Sequence, residues 1–291
     1  GRSGRHCRRG RRGDDGDRVC VIRMAPILFR IGTYTVYTYT VMLALGMLAG
    51  TWVSYSLSRR RFSNPQIALD AGFWGLLGGV LGGRLGYVIS NWAYFVDHLD
   101  KAIAIWNGGL SWHGALIGGV AAVLVWWVAA RRNSPSLPGW RDLLDVIAPG
   151  LALGGAFGWL GCLLTGSAYG AEASGYLPPV AWFTADLPDI YGVWEVRFIT
   201  QPLMIAWSVL LFILLFTLHR RFSHSPTFAL YLLLYALADF GVMFLRGDGA
   251  WRLWLWLGQW VALVETGAGL TLLVSAGRRS YMDRLVQNKE K

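Results

Sequence analysis

Apolar positions along this chain do not alternate with polar ones. They run together in blocks of roughly twenty residues, separated by short polar connectors. The blocks lie at about 36–57, 68–91, 110–130, 143–165, 200–219, 226–245 and 254–276. Each has the length an α-helix needs to cross a hydrocarbon core, ~20 residues. The pattern predicts an all-α polytopic membrane protein of about seven transmembrane helices, built as one domain over residues 24–291. The longest connector, 166–195, carries Pro178, Pro179, Pro188 and several aromatic residues. It is too long for a minimal turn and is expected to form a small extracytoplasmic cap or gate. The connector 91–107, NWAYFVDHLDKAIAIWN, is aromatic and partly amphipathic, which predicts a segment lying on the membrane surface.

Charge sharpens this picture. Only 15% of the residues are charged, against about 25% in an ordinary soluble domain. Arginines cluster in alternate connectors: Arg59, Arg60 and Arg61; Arg131, Arg132 and Arg141; Arg220 and Arg221; Arg278, Arg279 and Arg284. The intervening connectors carry Asp97, Asp100, Glu172, Asp186, Asp189, Glu195 and Asp248. By the positive-inside rule the C-terminus faces the cytoplasm and the start of the first span faces out. The net charge of +10 could suggest nucleic acid, but half of it sits in residues 1–23, whose eight arginines and three aspartates give +5. That stretch can form no core and lacks the apolar run of a secretory signal. It is expected to be a disordered basic leader outside the native protein, either upstream translation or a cloning remnant, with Met24 as the natural start. A basic lipid- or nucleic-acid-binding arm is the rival reading. Cys7, Cys20 and Cys162 have no disulfide or metal-ligand spacing.

Ionisable groups inside apolar runs carry the candidate chemistry, because such groups are costly in a bilayer and usually face a bundle interior or a water-filled path. Arg84 ends the second block and His113 opens the third, so the two are expected to wall one site. A planar guanidinium suits a phosphate headgroup, and an imidazole is the usual acceptor for a thiol or hydroxyl proton. The plainer readings are a snorkelling arginine and a hydrogen-bonded structural histidine. Asp239 and Glu265 lie deeper in their blocks, so each needs a partner or a proton. Asp239 is expected to pair with an arginine such as Arg84 or Arg246, or to be protonated. Asp70 and Asp145 read as acids at helix starts, favoured by the helix dipole. Glycines recur four apart at Gly75, Gly79 and Gly83; Gly78, Gly82 and Gly86; Gly114 and Gly118; and Gly150, Gly154 and Gly158. Small residues at this spacing let helix backbones approach closely. The second, third and fourth blocks are therefore expected to form one tight central unit, with Arg84, His113 and Trp159 near its outer end.

Three stretches taken together, GGRLGYV (82–88), WNGGLSWHGALIGG (106–119) and LLDVIAPGLALGGAFG (143–158), resemble the prolipoprotein diacylglyceryl transferase family. PILFRIGTYTVYTY (26–39), Thr200-Gln201, LYLLLYALADFGVMFLRGD (230–248) and Gly258-Gln259 extend the likeness in order to about residue 260. The resemblance implies seven spans with the N-terminus outside. It implies transfer of a diacylglyceryl group from phosphatidylglycerol to the lipobox cysteine of a preprolipoprotein, in the bacterial inner membrane, with release of glycerol phosphate. No metal or soluble cofactor is implied, and no nucleic acid. On this resemblance His113, Arg84, Arg246 and Tyr39 are the catalytic candidates. Asn107, Ser111, Gly114, Trp159, Gly161, Gln201 and Gln259 are the substrate-binding candidates.

The likeness also has departures. Where the family reads Gly-Arg-x-Gly-Asn-Phe-x-Asn-x-Glu-x-x-Gly, this chain has Gly158-Trp159-Leu160-Gly161-Cys162-Leu163-Leu164-Thr165-Gly166-Ser167-Ala168-Tyr169-Gly170. An Arg-Phe-x-x-Glu pattern is replaced by Asp239-Phe240-Gly241-Val242-Met243. An indole and a carboxylate thus stand where the resemblance implies two cations. The alternative function is a relative that binds lipid or lipoprotein precursor without turnover. A third class is a transporter or an enzyme with a different thiol or glycosyl substrate; nothing in the chain resembles the inverted repeat of a transporter.

Overall fold

A computed structural model describes residues 27–31, 34–104, 109–134, 136–173, 183–188, 194–222, 225–247, 251–252 and 255–289. The leader 1–23 and the candidate Asn107 lie outside the described residues. The helices are α1 (Thr38–Arg61), α2 (Gln66–Ser90), α3 (Trp92–Phe95), α4 (Leu99–Ala102), α5 (Trp112–Asn133), α6 (Trp140–Thr165), α7 (Thr200–Arg221), α8 (Thr227–Val242) and α9 (Leu257–Lys289). A turn of 3-10 helix, Met243–Leu245, extends α8. Each expected span coincides with one long helix. Six of them are apolar enough to cross a membrane on length and hydropathy alone. The exception is α2, whose glycines, with Asp70 and Arg84, dilute its hydropathy. The chain is a multi-pass membrane protein. Large apolar side chains accordingly face outward, among them Leu48 and Trp52 on α1, Leu81 and Leu85 on α2, Val125 on α5 and Val264 on α9.

Glycine pairing sets the architecture, but not as one three-helix unit. Helix α2 packs along α5, and α1 packs along α6; α2 and α6 touch little. A Cβ added at Gly82 would sit 2.5 Å from the Gly114 carbonyl oxygen and 2.7 Å from the Gly118 Cα. A Cβ at Gly50 would sit 2.7 Å from the Gly150 carbonyl oxygen. The glycines of α6 are answered by Gly46 and Gly50 of α1, a pair the sequence reading had not matched to them. This is why the expected grouping of the second, third and fourth spans separates into two zipped pairs.

The core lies where α6, α7 and α8 meet, with Leu143, Met204, Leu215 and Tyr231 fully buried. One backbone device shows how polar atoms are satisfied there. Pro149 lies inside α6 and has no N–H to give the carbonyl of Asp145. Thr227 Oγ1 donates to that carbonyl instead, at 2.7 Å. The Asp145 carboxylate then accepts from the backbone N–H of Phe228 at 2.8 Å. The acid expected to serve its own helix start therefore caps the start of α8, where the N-cap residue, Pro226, offers no side-chain acceptor. Replacing Asp145 by alanine should cost about 0.5–2 kcal/mol, read as a lowered midpoint of thermal unfolding in detergent. An unchanged midpoint would remove this account of the α8 start.

The ends of the bundle differ. Arg59, Arg60 and Arg61 close α1, Arg131 and Arg132 close α5, and Arg220 and Arg221 close α7, all at one end. Among the described residues the opposite end carries three antiparallel hairpins: β1 (Ile27–Ile31) with β2 (Tyr34–Tyr37), β3 (Thr184–Pro188) with β4 (Trp194–Phe198), and β5 (Trp251–Arg252) with β6 (Leu255–Trp256). Bridges from Gly170 to Arg246 and from Glu172 to Arg197 join the hairpin layer to the strand-like segment after α6. The expected cap is present as this layer. Between α2 and α5 the chain forms α3 and α4, with Trp92, Tyr94, Val96, Leu99 and Ile103 exposed.

Candidate active site

Separating the two glycine-zipped pairs leaves space between them. A cavity of about 230 Å³ is lined by Tyr39, Gly46 and Ser54 of α1, Gly75 and Gly79 of α2, Ser111 and Trp112 at the start of α5, and Leu144, Gly150 and Gly154 of α6. From Tyr39 to Ser54 it follows α1 for ~22 Å at 1.5 Å per residue. That is most of a hydrocarbon core of about 30 Å. Its lining is almost wholly apolar, so it suits a hydrocarbon chain and not a solvated headgroup.

At the hairpin end, Trp112 joins this cavity to a buried polar cluster. Its ring lies 5.8 Å from that of Tyr235, and the Tyr235 hydroxyl accepts from Trp159 Nε1 at 3.1 Å. One turn further along α8 is Asp239. Its Oδ2 lies 3.4 Å from His113 Nε2. On the other side of the ring, His113 Nδ1 lies 3.2 Å from Glu265 Oε1 of α9. The three side chains are 14%, 4% and 7% exposed for His113, Asp239 and Glu265. A buried carboxylate without a cation is expensive, and the imidazole serves two at once. Asp239 was expected to pair with an arginine such as Arg84 or Arg246, or to be protonated; the arginine branch is corrected, because α8 presents Asp239 to α5, where its contact is the His113 imidazole. Glu265 had been noted as an acid in need of a partner, but not as part of this site. Two deep acids and one histidine in otherwise apolar blocks were the signal in the sequence.

Arg84 is turned the other way. Its Nε donates to the Ala102 carbonyl at 2.8 Å, Nη2 to Lys101 at 2.6 Å and Nη1 to Gly109 at 3.1 Å. Its guanidinium also lies over the rings of Tyr87 and Phe95, at 5.6 and 5.5 Å. These contacts tie the end of α2 to the connector that leads into α5. Gly109, with φ +78, is held against the Tyr87 ring. Ser111 N–H donates to the Gly83 carbonyl at 2.9 Å, and Ser111 Oγ caps α5 by accepting from Gly114 N–H at 3.3 Å. Arg84 and His113 thus stand at the same end of the α2–α5 pair, with their side chains engaged on different sides of it.

The remaining candidates join the ring around this end. Tyr39 lines the cavity and packs on Gly161, where an added Cβ would lie 3.0 Å from the Tyr39 ring. Gln201, at the start of α7, donates to the Ser167 carbonyl at 2.9 Å. Its Oε1 is buried with no hydrogen-bond partner among the described residues. Gln259, at the start of α9, donates to the Phe240 carbonyl at 3.2 Å. Arg246 lies where the segment after α8 pairs with Gly170, and Gly247 N–H beside it donates to the Tyr169 carbonyl at 3.1 Å. Gly258 packs on Met243 and His113, an added Cβ lying 3.3 Å from His113 Nε2.

Similarity to known proteins extends over most of the chain. The family model for prolipoprotein diacylglyceryl transferase matches residues 26–275. A phosphatidylglycerol–prolipoprotein diacylglyceryl transferase of Nostoc sp. is 31% identical over 256 residues, which cover 84% of this chain and 87% of that protein. The protein of the same name from Thermosynechococcus vestitus is 31% identical over 247 residues, 82% of this chain and 88% of that one. The one from Pediococcus pentosaceus is 28% identical over 276 residues, 89% of this chain and 92% of that one. A match that runs from the first hairpin to α9, over a bundle with these candidates at one end, means that this chain belongs to the prolipoprotein diacylglyceryl transferase family.

Proposed function

We propose that the chain transfers a diacylglyceryl group from phosphatidylglycerol to the lipobox cysteine thiol of a preprolipoprotein, in a bacterial plasma membrane with the hairpin end outside. Family membership supports the reaction class. The observation that carries the reading for this chain is the junction at Trp112. There the start of α5 puts Trp112 in the wall of an apolar cavity and the next residue, His113, between two buried carboxylates. The acyl chains occupy the cavity between α1, α2, α5 and α6, and the headgroup lies toward the hairpin layer. His113 takes the thiol proton, so that sulfur attacks as thiolate. The S–C bond forms at the glyceryl carbon, the C–O bond to phosphate breaks, and glycerol phosphate leaves. Arg84 orders the α4–α5 connector, and Arg246 lies on the side of the hairpin layer, where the leaving phosphate is released. The arginines at the ends of α1, α5 and α7 support the orientation.

A second reading has one observation in its favour. Two carboxylates flank the histidine, and Trp159 stands where the family motif carries arginine, so fixed positive charge for the phosphate is reduced. On this reading the chain binds lipid or precursor without turnover. Complementation separates the two. The full chain is expressed in cells depleted of their own transferase, and lipidation of a reporter lipoprotein is followed. Restored lipidation supports transfer. Normal membrane abundance with no lipidation sinks it and leaves the binding reading.

A further inference from the structure

Neither Glu265 nor Asp239 was a candidate for the reaction, yet both ring nitrogens of His113 face them. An ionised carboxylate only accepts hydrogen bonds, and each ring nitrogen either donates or accepts. Both short contacts are attractive when the three groups together hold two protons. That state is an imidazolium between two carboxylates, or a neutral ring that donates to one acid and receives from the other. The unit then carries one net negative charge and has room for a third proton. Its two sides are not equivalent. Nδ1 makes a 3.2 Å hydrogen bond to Glu265. Nε2 faces Asp239 Oδ2 at 3.4 Å, and that oxygen makes no hydrogen bond among the described residues. The imidazole is also the most exposed of the three groups, at 14%.

We propose that the Asp239–His113–Glu265 unit, and not the imidazole alone, is the proton acceptor for the substrate thiol, with Glu265 and Asp239 as positioning residues that act through His113. The inference rests on the proposed diacylglyceryl transfer. Glu265 pins Nδ1 and so directs proton exchange to the Nε2–Asp239 side. The thiol proton enters there, and the unit goes from two protons to three. The sulfur lone pair forms the bond to the glyceryl carbon. The C–O pair departs with glycerol phosphate, and the unit returns its third proton to that phosphate or to water. Two other hydroxyls lie on α8: that of Tyr235 accepts from Trp159 Nε1, and that of Tyr231 is buried without a hydrogen-bond partner among the described residues. An orienting carboxylate behind an imidazole is a general solution for fixing which nitrogen reacts. Here one carboxylate lies on each side of the ring.

The test uses the full chain in phosphatidylglycerol vesicles with a lipobox peptide, comparing Glu265→Gln with Glu265→Asp. Glu265→Gln keeps the shape and removes the charge; Glu265→Asp keeps the charge and disturbs the packing. The expected result for Glu265→Gln is a kcat lowered by at least about tenfold, with KM for phosphatidylglycerol unchanged. Glu265→Asp should retain more activity than Glu265→Gln. Purely structural roles predict the reverse order. A Glu265→Gln chain within twofold of the parent kcat, or more active than Glu265→Asp, overturns the proposal. If Glu265→Gln fails to accumulate in membranes, Asp239→Asn is judged by the same kcat and KM criterion. An active parent with unaffected variants removes this inference alone; an inactive parent removes it together with the proposed function.

Discussion

His113→Ala is expected to lower the lipidation rate by about 10²–10⁴-fold, the usual contribution of a positioned general base. The same substitution leaves Asp239 and Glu265 facing an empty site without the imidazole between them. Breaking a buried ion pair by removing one partner costs about 3–5 kcal/mol. Loss of activity in this variant therefore has two sources, chemistry and unfolding, and a second variant separates them. His113→Leu combined with Asp239→Leu and Glu265→Met replaces the charged unit by apolar groups of similar volume. Such replacements of whole buried charge clusters are often neutral in stability. The triple variant should recover the unfolding midpoint lost in His113→Ala and remain inactive. Recovery of activity along with stability would show that His113 is there only to neutralise the acids, and it would remove the base from the mechanism.

Gly82→Ala should be among the most destabilising single-methyl additions in the chain, while Gly158→Ala should be harmless or stabilising. Both glycines sit in helical repeats with the same four-residue spacing. At Gly82 the added Cβ would meet the Gly114 carbonyl oxygen at 2.5 Å and the Gly118 Cα at 2.7 Å. Those are backbone atoms, and they yield only if α2 and α5 move apart. Overpacking of this kind costs about 1–3 kcal/mol and sometimes more. At Gly158 nothing lies within 4 Å of the added Cβ. There the change removes backbone freedom from the unfolded chain and gains about 0.5–1 kcal/mol. Thermal unfolding in detergent reads both. Equal shifts in the two variants would show that the α2–α5 contact is not the seam of the bundle. The cavity between the zipped pairs depends on that seam, so Gly82→Ala should also weaken lipid binding, whereas the Gly158 variant has no such route.

Several features of the site were legible in the residues themselves. The likeness carried by GGRLGYV and WNGGLSWHGALIGG put Arg84 and His113 at one end of the bundle, and the structure has them at the same end of the α2–α5 pair. The rotation of each side chain about its helix was not legible, because it depends on neighbours far away in the chain. Arg84 had to choose between a headgroup and the backbone carbonyls of its own connector, and the α3–α4 turn brings Lys101, Ala102 and Gly109 within reach. Asp239 had to find a cation, and the register of α8 against α5 puts an imidazole there and not a guanidinium. Trp159 stands where the resemblance implies an arginine, and its indole N–H is satisfied by the Tyr235 hydroxyl of α8.

The sequence by itself determined the membrane class, the helix positions and the bundle end where the candidate residues gather. An unbroken apolar run of about twenty residues satisfies its backbone in lipid within itself, as a helix. Tertiary structure decided which glycine faces meet, and so where the cavity opens. It also decided that His113 shares one buried site with Asp239 and Glu265, each more than a hundred residues away from it in the chain. Those outcomes turn on interhelical contacts of a few ångströms, and a local pattern carries no information about which distant helix will supply them.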